Sequence, residues 1–260
     1  MNGHFGRPLR WLAPPVAVVF GLITIWELVA QIARVPEWLL PAPTTIAAAL
    51  SEAIPLLVPH VVRTLSEAVI GYGLALAAAL LLSIAIDHWE GVRRSIYPLL
   101  VTTQTIPIFA LAPLLAIWFG FGILPKVIVV ALVCFFPIVV NVSTGLHGAD
   151  VEMQNLVRTM GGGRRQIFMK VKLPAAIPSL LAGMKIAATY SVIGAVIAEW
   201  LGASQGLGLY LLRSANSFKT DHVFAAIAVI TALSIGMFIA VDILGRIIAP
   251  WIYVQEEDPG

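Results

Sequence analysis

Long uncharged apolar runs constrain what this chain can fold into more than any other feature. Four stretches contain no Asp, Glu, Lys or Arg: residues 68–86, 95–125, 127–149 and 223–241. A helix that crosses the hydrocarbon core of a bilayer needs about 20 predominantly apolar residues. Hydrophobic residues form 59% of the chain and charged residues only 12%, which excludes an ordinary water-soluble domain. We therefore predict an integral membrane protein.

Two further apolar stretches are each interrupted by one charge. Residues 11–33 contain Glu27, and residues 175–198 contain Lys185. The uncharged part of the second stretch, residues 186–198, gives about 20 Å of helix, which is short of a hydrocarbon core of about 30 Å. Lys185 is therefore expected to reach the membrane surface or to face a polar interior. With these two stretches, we predict six membrane-spanning helices.

The run at residues 95–125 is too long for one straight span. It contains Pro98, Pro107 and Pro113, and proline removes a helical hydrogen bond and kinks a helix. We expect a kinked helix followed by a loop at residues 120–122.

Two predicted outer segments differ in composition. Residues 34–63 contain five prolines and a short amphipathic stretch at 44–53. A helix on the membrane surface is one interpretation of this stretch, and a spacer is the favoured one. Residues 199–221 combine glycines with polar side chains. A segment of that kind is suited to dip back into the membrane or to cap a pathway.

The distribution of Lys and Arg predicts the orientation, because cytoplasmic loops carry more of these residues than outer loops. If the N-terminus is cytoplasmic, ten of them near the span ends fall inside and five outside. The inside residues are Arg7, Arg10, Arg93, Arg94, Arg158, Arg164, Arg165, Lys170, Lys172 and Arg246, and the outside residues are Arg34, Arg63, Lys126, Arg213 and Lys219. Both termini are then cytoplasmic, and the first run is expected to be an uncleaved span.

No residue pattern indicates bond-making chemistry. The histidines are scattered, and no two have the i, i+4 spacing that places metal ligands on one helix face. The Gly-Gly-Gly-Arg-Arg run at residues 161–165 lacks the Gly-Lys-Ser/Thr ending of a nucleotide-binding loop. The single cysteine, Cys134, excludes an internal disulfide and is expected to pack within a helix. We predict no catalytic residue, no metal and no ATPase site in this chain.

A basic, glycine-centred segment at residues 158–174 separates two of the apolar runs. We expect a short helix at 154–160, a flexible turn at 161–163 and a second helix at 164–171. Pro174 and Pro178 are expected to break the helix before the next span.

The second predicted helix places Ile167, Phe168 and Val171 on one side. Arg164, Arg165 and Lys172 are then available for acidic partners. From the residues alone, two interpretations remain open: a surface on which a cytoplasmic partner docks, or a basic loop that only fixes the topology.

The spacing in this segment resembles the cytoplasmic loop of the permease subunits of bacterial ATP-binding cassette (ABC) importers. That loop has a Glu-Ala-Ala triplet, three residues, a glycine, nine residues and Ile-x-Leu-Pro. Here Gly161 is followed after nine residues by Val-Lys-Leu-Pro, whereas Asn-Leu-Val at residues 155–157 occupies the triplet position. The resemblance implies that the ATPase-coupling residues are Glu152, Arg158, Gly161, Arg164, Arg165, Phe168, Leu173 and Pro174.

Two further motifs are similar to the nitrate, sulfonate, taurine and thiamine-precursor branch of this family. They lie at residues 104–122 and 198–208, and the resemblance extends over residues 60–251. It implies an all-α membrane protein of the type I ABC importer permease fold, with about six transmembrane helices and a cytoplasmic coupling helix, in the bacterial inner membrane. The implied divisions are an N-terminal tail, first span and outer loop at 1–63, a permease core at 64–249 with a coupling loop at 150–175, and a C-terminal tail at 250–260.

The resemblance also implies partners and a mechanism. We expect two permease copies forming a homodimer, two cytoplasmic ATPase subunits that bind ATP and Mg²⁺, a periplasmic or lipid-anchored solute-binding protein and no nucleic acid. ATP binding is expected to move residues 158–170 and to rock the spans from inward-open to outward-open. Deletion of residues 161–163, or Phe168→Asp, is expected to abolish coupling without preventing insertion.

Polar residues inside the apolar runs are the candidates for a solute pathway, because each needs a partner or a solute. The candidates are Thr103, Gln104, Thr105, Asn141, Ser143, Tyr190 and Ser191. Gln104 is the first choice, since Pro107 nearby can free backbone groups for a cavity. The alternative is that Ser and Thr hydroxyls bond their own helix backbone.

Four charges near the bilayer, Glu27, Lys185, Glu199 and Asp242, are compatible with a gradient-driven carrier. A structural interpretation is favoured for three of them, with Asp242 and Arg246 forming an i, i+4 pair; Glu27 has no assigned role. A carrier usually shows repeated halves, which are not detected. The importer permease is therefore the favoured class. For the solute, a thiamine-type pyrimidine or related heterocycle ranks first, followed by sulfonate, taurine or nitrate.

Overall fold

The computed structural model describes residues 7–33 and 35–254, and within these ranges the chain is helical with no strand. The helices are α1 (Arg7–Ile32), α2 (Pro43–His88), α3 (Glu90–Thr103), α4 (Ile108–Phe119), α5 (Leu124–His147), α6 (Val151–Thr159), α7 (Arg164–Ile167), a π-helical turn (Phe168–Lys172), α8 (Leu173–Glu199), α9 (Leu207–Asn216), α10 (Thr220–Ile248) and α11 (Pro250–Val254). The predicted all-α fold is confirmed.

Apolar helices occupy the six predicted spans. Four helical segments are long and apolar enough to cross a membrane: Pro43–His88, Leu124–His147, Arg164–Glu199 and Thr220–Ile248. Two shorter apolar helices, Val16–Ile32 and Ala110–Phe119, correspond to the first and third predicted spans.

The third predicted span is broken rather than simply kinked. Helix α3 ends at Thr103, and α4 begins after Pro107, whose backbone is extended at φ −66° and ψ 118°. Gly120 ends α4 with a φ of 79°, a left-handed conformation that favours glycine. The predicted loop at residues 120–122 is therefore confirmed.

Residues 44–53 were predicted to form a spacer, and this prediction is wrong. They are the first turns of α2, which begins at Pro43 and continues through Pro55 and Pro59. Pro43 is tolerated because the first N–H groups of a helix have no partner within it, whereas Pro55 and Pro59 lie inside α2 and each leaves one helical hydrogen bond unmade.

The chain divides into two compact units. Among the described residues, the first unit comprises 7–33, 35–58 and 210–229, and it contains Glu27. The Thr44 backbone N–H and Oγ1 donate to the Glu27 carboxylate at 3.0 and 2.7 Å, and Gln31 Nε2 donates to it as well. Glu27 thus caps the first turn of α2, where a negative charge also complements the helix dipole.

The second unit comprises the described residues 59–209 and 230–254, and its core lies where α5 packs on α8. Small residues let the two helices approach closely. A Cβ on Gly145 would lie 2.9 Å from Ala176 Cα, and one on Gly183 would lie 2.8 Å from Asn141 Cβ. Cys134 is fully buried in this core, as predicted for a packing residue.

Two of the charges near the bilayer pair with each other in this unit. Lys185 Nζ lies 2.5 Å from Asp242 Oδ1, so Lys185 faces a polar partner as expected. Arg246 Nε lies 2.9 Å from Asp242 Oδ2, which confirms the predicted i, i+4 pair. These contacts give Lys185 and Asp242 a structural role.

Candidate functional site

The coupling segment, residues 150–175, is built around a well-terminated short helix, α6. Asp150 Oδ1 accepts hydrogen bonds from the backbone N–H groups of Glu152 at 2.7 Å and Met153 at 3.4 Å, so Asp150 is its N-cap. At the other end, Gly161 adopts a φ of 82° and its N–H donates to Arg158 O at 2.9 Å. The Gly162 N–H donates to Val157 O at 2.8 Å, which completes a Schellman motif. This geometry explains the glycine at position 161.

No residue of α6 is buried in the chain. Met153, Leu156 and Met160 lie at i, i+3 and i+7, which places them on one helix face, and they are 48%, 52% and 79% exposed. Glu152 and Arg158 are exposed on other faces of the same helix. The segment therefore presents an amphipathic helix whose apolar face is uncovered.

In the second half of the segment, the apolar side faces the spans, and one of the three basic residues predicted for acidic partners is already paired. Ile167 and Val171 are buried and Phe168 packs against the main core, so this apolar side anchors the segment to the spans. Lys172 Nζ lies 2.7 Å from Asp87 Oδ1, so this lysine is already paired. The exposed apolar surface belongs to α6, whereas Arg164 and Arg165 remain exposed as expected.

The predicted helix break at Pro174 and Pro178 is also wrong. Helical structure is continuous from Arg164 to Glu199, with Leu173 and Pro174 exposed at the start of α8. The π-helical turn Phe168–Lys172 precedes Pro174, and the Leu173 N–H donates to Phe168 O, five residues back. A local change of hydrogen-bond register accommodates a proline that lacks an N–H.

Four of the predicted pathway residues line one cavity of about 540 Å³ in the second unit: Thr103, Gln104, Asn141 and Tyr190. Gln104 lies in the break between α3 and α4, Asn141 on α5 and Tyr190 on α8. Asn141 Nδ2 donates to Pro137 O at 2.7 Å, which fixes its amide group. Apolar residues including Ile106 and Phe136 complete the wall.

The other predicted pathway residues do not line this cavity. Thr105 Oγ1 donates to Thr102 O, and Ser191 Oγ donates to Ala188 O, both at 2.7 Å. Ser143 is buried and lines a different cavity beside His147. Thr105 and Ser191 therefore follow the alternative in which hydroxyls bond their own helix backbone.

Sequence reasoning missed a buried polar cluster where α2, α5 and α8 meet. Glu67 is fully buried, with Arg63 Nε at 2.7 Å and Lys126 Nζ at 3.8 Å from its Oε1. The sequence had assigned Arg63 and Lys126 only to outer loops. The i, i+4 spacing of Arg63 and Glu67, and the isolation of Lys126 between two apolar runs, are the signals that indicate such a cluster.

Glu199, at the end of α8, fixes the loop that connects α8 to α9. Its carboxylate accepts from Thr64 Oγ1 and from the Gly208 N–H, both at 2.6 Å, and the side chain is fully buried. His60 Nδ1 lies 2.9 Å from Gly206 N. Gly206 has a φ of 137°, and a Cβ there would overlap the Glu199 carboxylate. The glycines of the 198–208 motif thus let the backbone wrap around a buried acid.

The apolar helices enclose a cavity that contains polar side chains, and a connecting segment presents an exposed amphipathic helix. This combination is the framework of a membrane transport subunit. The chain belongs to the family of binding-protein-dependent transport system inner membrane components, whose model matches residues 71–253.

The similarity to individual proteins supports the same family assignment. The chain is 40% identical over 240 residues to the formylaminopyrimidine transport permease protein of Halalkalibacterium halodurans, covering 91% of this chain and 95% of that one. It is 30% identical to the riboflavin transport system permease protein of Chloroflexus aurantiacus, covering 92% and 90%. It is 28% identical to the taurine transport system permease protein of Escherichia coli, covering 94% of each.

The fold also matches a solved structure. An inward-facing form of the MetNI methionine ABC transporter gives a TM-score of 0.67 at 19% identity, covering 76% of this chain and 98% of that one. The chain is therefore a multi-pass inner-membrane permease subunit of an ABC importer, of the branch indicated by its sequence motifs. A permease of this kind works with ATPase subunits and a binding protein. The gradient-driven carrier is not favoured.

Proposed function

We propose that two identical copies of this chain form the pathway of an importer for a pyrimidine-type heterocycle, with both termini in the cytoplasm. ATP and Mg²⁺ bind to partner ATPase subunits, and ATP hydrolysis takes place there. The uncovered apolar face of α6 carries this proposal, because a helix that buries none of its own residues needs a partner surface to order that face.

The coupling role follows from how α6 is attached. It joins α5 through a short connection at Gly148–Asp150, and it joins α8 through a turn and a helix anchored by Ile167 and Val171. A displacement of α6 by an ATPase subunit is therefore transmitted to both long helices that form the core. The resulting rocking of α5 and α8 would open the pathway alternately to the two sides of the membrane.

The solute class is supported by the wall of the 540 Å³ cavity. Gln104 offers an amide and Tyr190 a hydroxyl, and neither makes a hydrogen bond within the described part of the chain. Phe136 supplies an aromatic surface on which a planar ring can stack. Neutral amide and phenol groups suit the nitrogen and amino groups of a pyrimidine better than they suit a sulfonate, for which a cation is the stronger partner. Relatives named for formylaminopyrimidine and riboflavin transport support the same class.

Reconstitution tests the whole proposal. The chain, its ATPase subunits and its solute-binding protein are incorporated into proteoliposomes, and uptake of radiolabelled formylaminopyrimidine is measured with ATP inside or outside. We expect uptake to require ATP on the side of the membrane that carries α6. Native mass spectrometry is expected to find two copies of the chain per complex. Uptake by the chain alone, driven by an ion gradient without ATP, contradicts the proposal.

Gln104→Leu is expected to reduce uptake about tenfold or more, because it removes the free amide while keeping a similar volume. ATP hydrolysis should keep its dependence on the binding protein, since Gln104 lies outside the coupling segment. Thr105→Val is the matched control, because the Thr105 hydroxyl is already bonded to Thr102 O. Equal uptake by the Gln104→Leu and Thr105→Val variants would remove Gln104 from the pathway.

A further inference from the structure

A second cavity, of about 440 Å³, lies between the coupling segment and the end of α2. Its volume is within the range of about 300–1,000 Å³ that is typical of ligand-binding clefts. The lining residues come from the end of α2, the start of α3, α6, α7 and the π-helical turn. The basic ones include Arg158, Arg164, Arg165 and Lys172, and the acidic ones are Asp87 and Glu90. We call this cavity the arginine cleft.

The acidic groups of the arginine cleft already have cationic partners. Asp87 pairs with Lys172 at 2.7 Å. Glu90 accepts from Arg94 Nε at 3.0 Å, and this hydrogen bond lowers the pKa of the Glu90 carboxyl group, so it remains ionised. Arg93 Nη1 lies 3.6 Å from the other Glu90 oxygen. Neither carboxylate is therefore left to neutralise a further arginine.

Three arginines of the cleft have no carboxylate partner within the described residues. Arg158 Nη1 donates only to the neutral Asn155 Oδ1, at 3.1 Å, and Arg164 and Arg165 form no ion pair in that part of the chain. Guanidinium groups in this number, lining one concave site, are suited to bind phosphate oxygens through charge-assisted, bidentate hydrogen bonds.

Apolar side chains also line the cleft. Ile84, which is 45% exposed near the end of α2, and Phe168 of the π-helical turn are both lining residues. A free anion gains nothing from these two side chains, whereas a phospholipid can place its phosphate on the arginines and its glycerol and upper acyl carbons on the apolar side chains.

We propose that the arginine cleft binds the phosphate group of an anionic phospholipid from the inner leaflet. The lipid fixes the coupling segment against the end of α2 and thereby sets the position from which α6 meets the ATPase. This inference rests on the cytoplasmic orientation proposed above. It assigns Arg158, Arg164 and Arg165 to the lipid and leaves the exposed face of α6 to the ATPase.

The lipid arm of the test uses the full-length chain in nanodiscs that contain phosphatidylcholine with a minority of phosphatidylglycerol. Lipid retained after transfer to detergent is counted by native mass spectrometry. The double variant Arg164→Gln/Arg165→Gln is expected to lose phosphatidylglycerol retention about tenfold or more. Lys170→Gln is the control, because Lys170 is exposed on the same segment but does not line the cleft.

The phosphate arm uses nanodiscs of phosphatidylcholine alone and measures the rise in unfolding temperature caused by inorganic phosphate. A rise in the wild-type chain but not in the double variant, without selective lipid retention, supports the site with free phosphate as its source. Equal retention and equal phosphate response in both proteins overturn the proposal. The proposal is also overturned if the double variant keeps the lipid and the phosphate response but no longer co-purifies with the ATPase, since the arginines would then belong to the ATPase interface. Leu156→Glu should retain the lipid, which separates this inference from the coupling role of α6.

Discussion

Glu67→Leu is expected to lower the free energy of unfolding by about 3–5 kcal/mol, the cost typical of leaving one member of a buried ion pair without its partner. Lys126 is only 3% exposed, and its ammonium group lies 3.8 Å from the Glu67 carboxylate. Its remaining hydrogen-bond acceptor is Gly122 O at 3.3 Å, a neutral carbonyl. Arg63 loses the same partner but is 31% exposed and can turn to water. The effect should therefore come mainly from Lys126.

Thermal unfolding of the detergent-purified chain, followed by circular dichroism, measures this effect. Glu52→Leu is the matched control, because Glu52 is an exposed glutamate on the same helix, α2. A surface change of this kind is expected to stay within about 0.5 kcal/mol. The double variant Glu67→Leu/Lys126→Leu should recover much of the loss, since both buried charges are then removed. If Glu67→Leu is as stable as Glu52→Leu, the ion pair of Glu67 and Lys126 contributes little to stability.

The spans and the coupling segment could be predicted because they depend on local patterns. Uncharged runs of about 20 residues require helices in lipid, and the glycine at position 161 follows from the left-handed end of α6. The motif spacing that indicates the family is likewise a local pattern. Gln104 and Asn141 were also found from a local property, namely polarity within an apolar run.

The features that could not be predicted depend on contacts between residues far apart in sequence. Glu27 caps Thr44, and Lys172 pairs with Asp87 at 2.7 Å. Glu199 accepts a hydrogen bond from Thr64, which is 135 residues away in the chain. Helical periodicity describes which side chains share a face, but not which face the rest of the chain covers. The sequence therefore grouped Ile167, Phe168 and Val171 on one side of a helix but did not show that this side packs against the core.

The second large effect is expected from a charge placed on the uncovered apolar face of α6. Leu156→Glu is expected to reduce the stimulation of ATP hydrolysis by the loaded binding protein at least about tenfold, since burying an unpaired carboxylate in an apolar contact is costly. Folding should be unaffected, because Leu156 is 52% exposed and no residue of α6 is buried. Phe168→Asp is a poorer test, since it would also disturb the core of the chain.

Asn155→Glu is the control that makes this result specific. It adds the same charge to the same helix but on a different face, and a glutamate there can still accept the hydrogen bond that Arg158 donates to Asn155 Oδ1. It also restores the acidic residue at the triplet position, so its coupling is expected to equal or exceed that of the wild-type complex. Both variants are compared in proteoliposomes with the same ATPase and binding protein, and insertion is checked by yield and thermal unfolding. If the two glutamates reduce coupling equally, added negative charge on α6 is the cause, and the apolar face of Met153, Leu156 and Met160 is not the surface that the ATPase contacts.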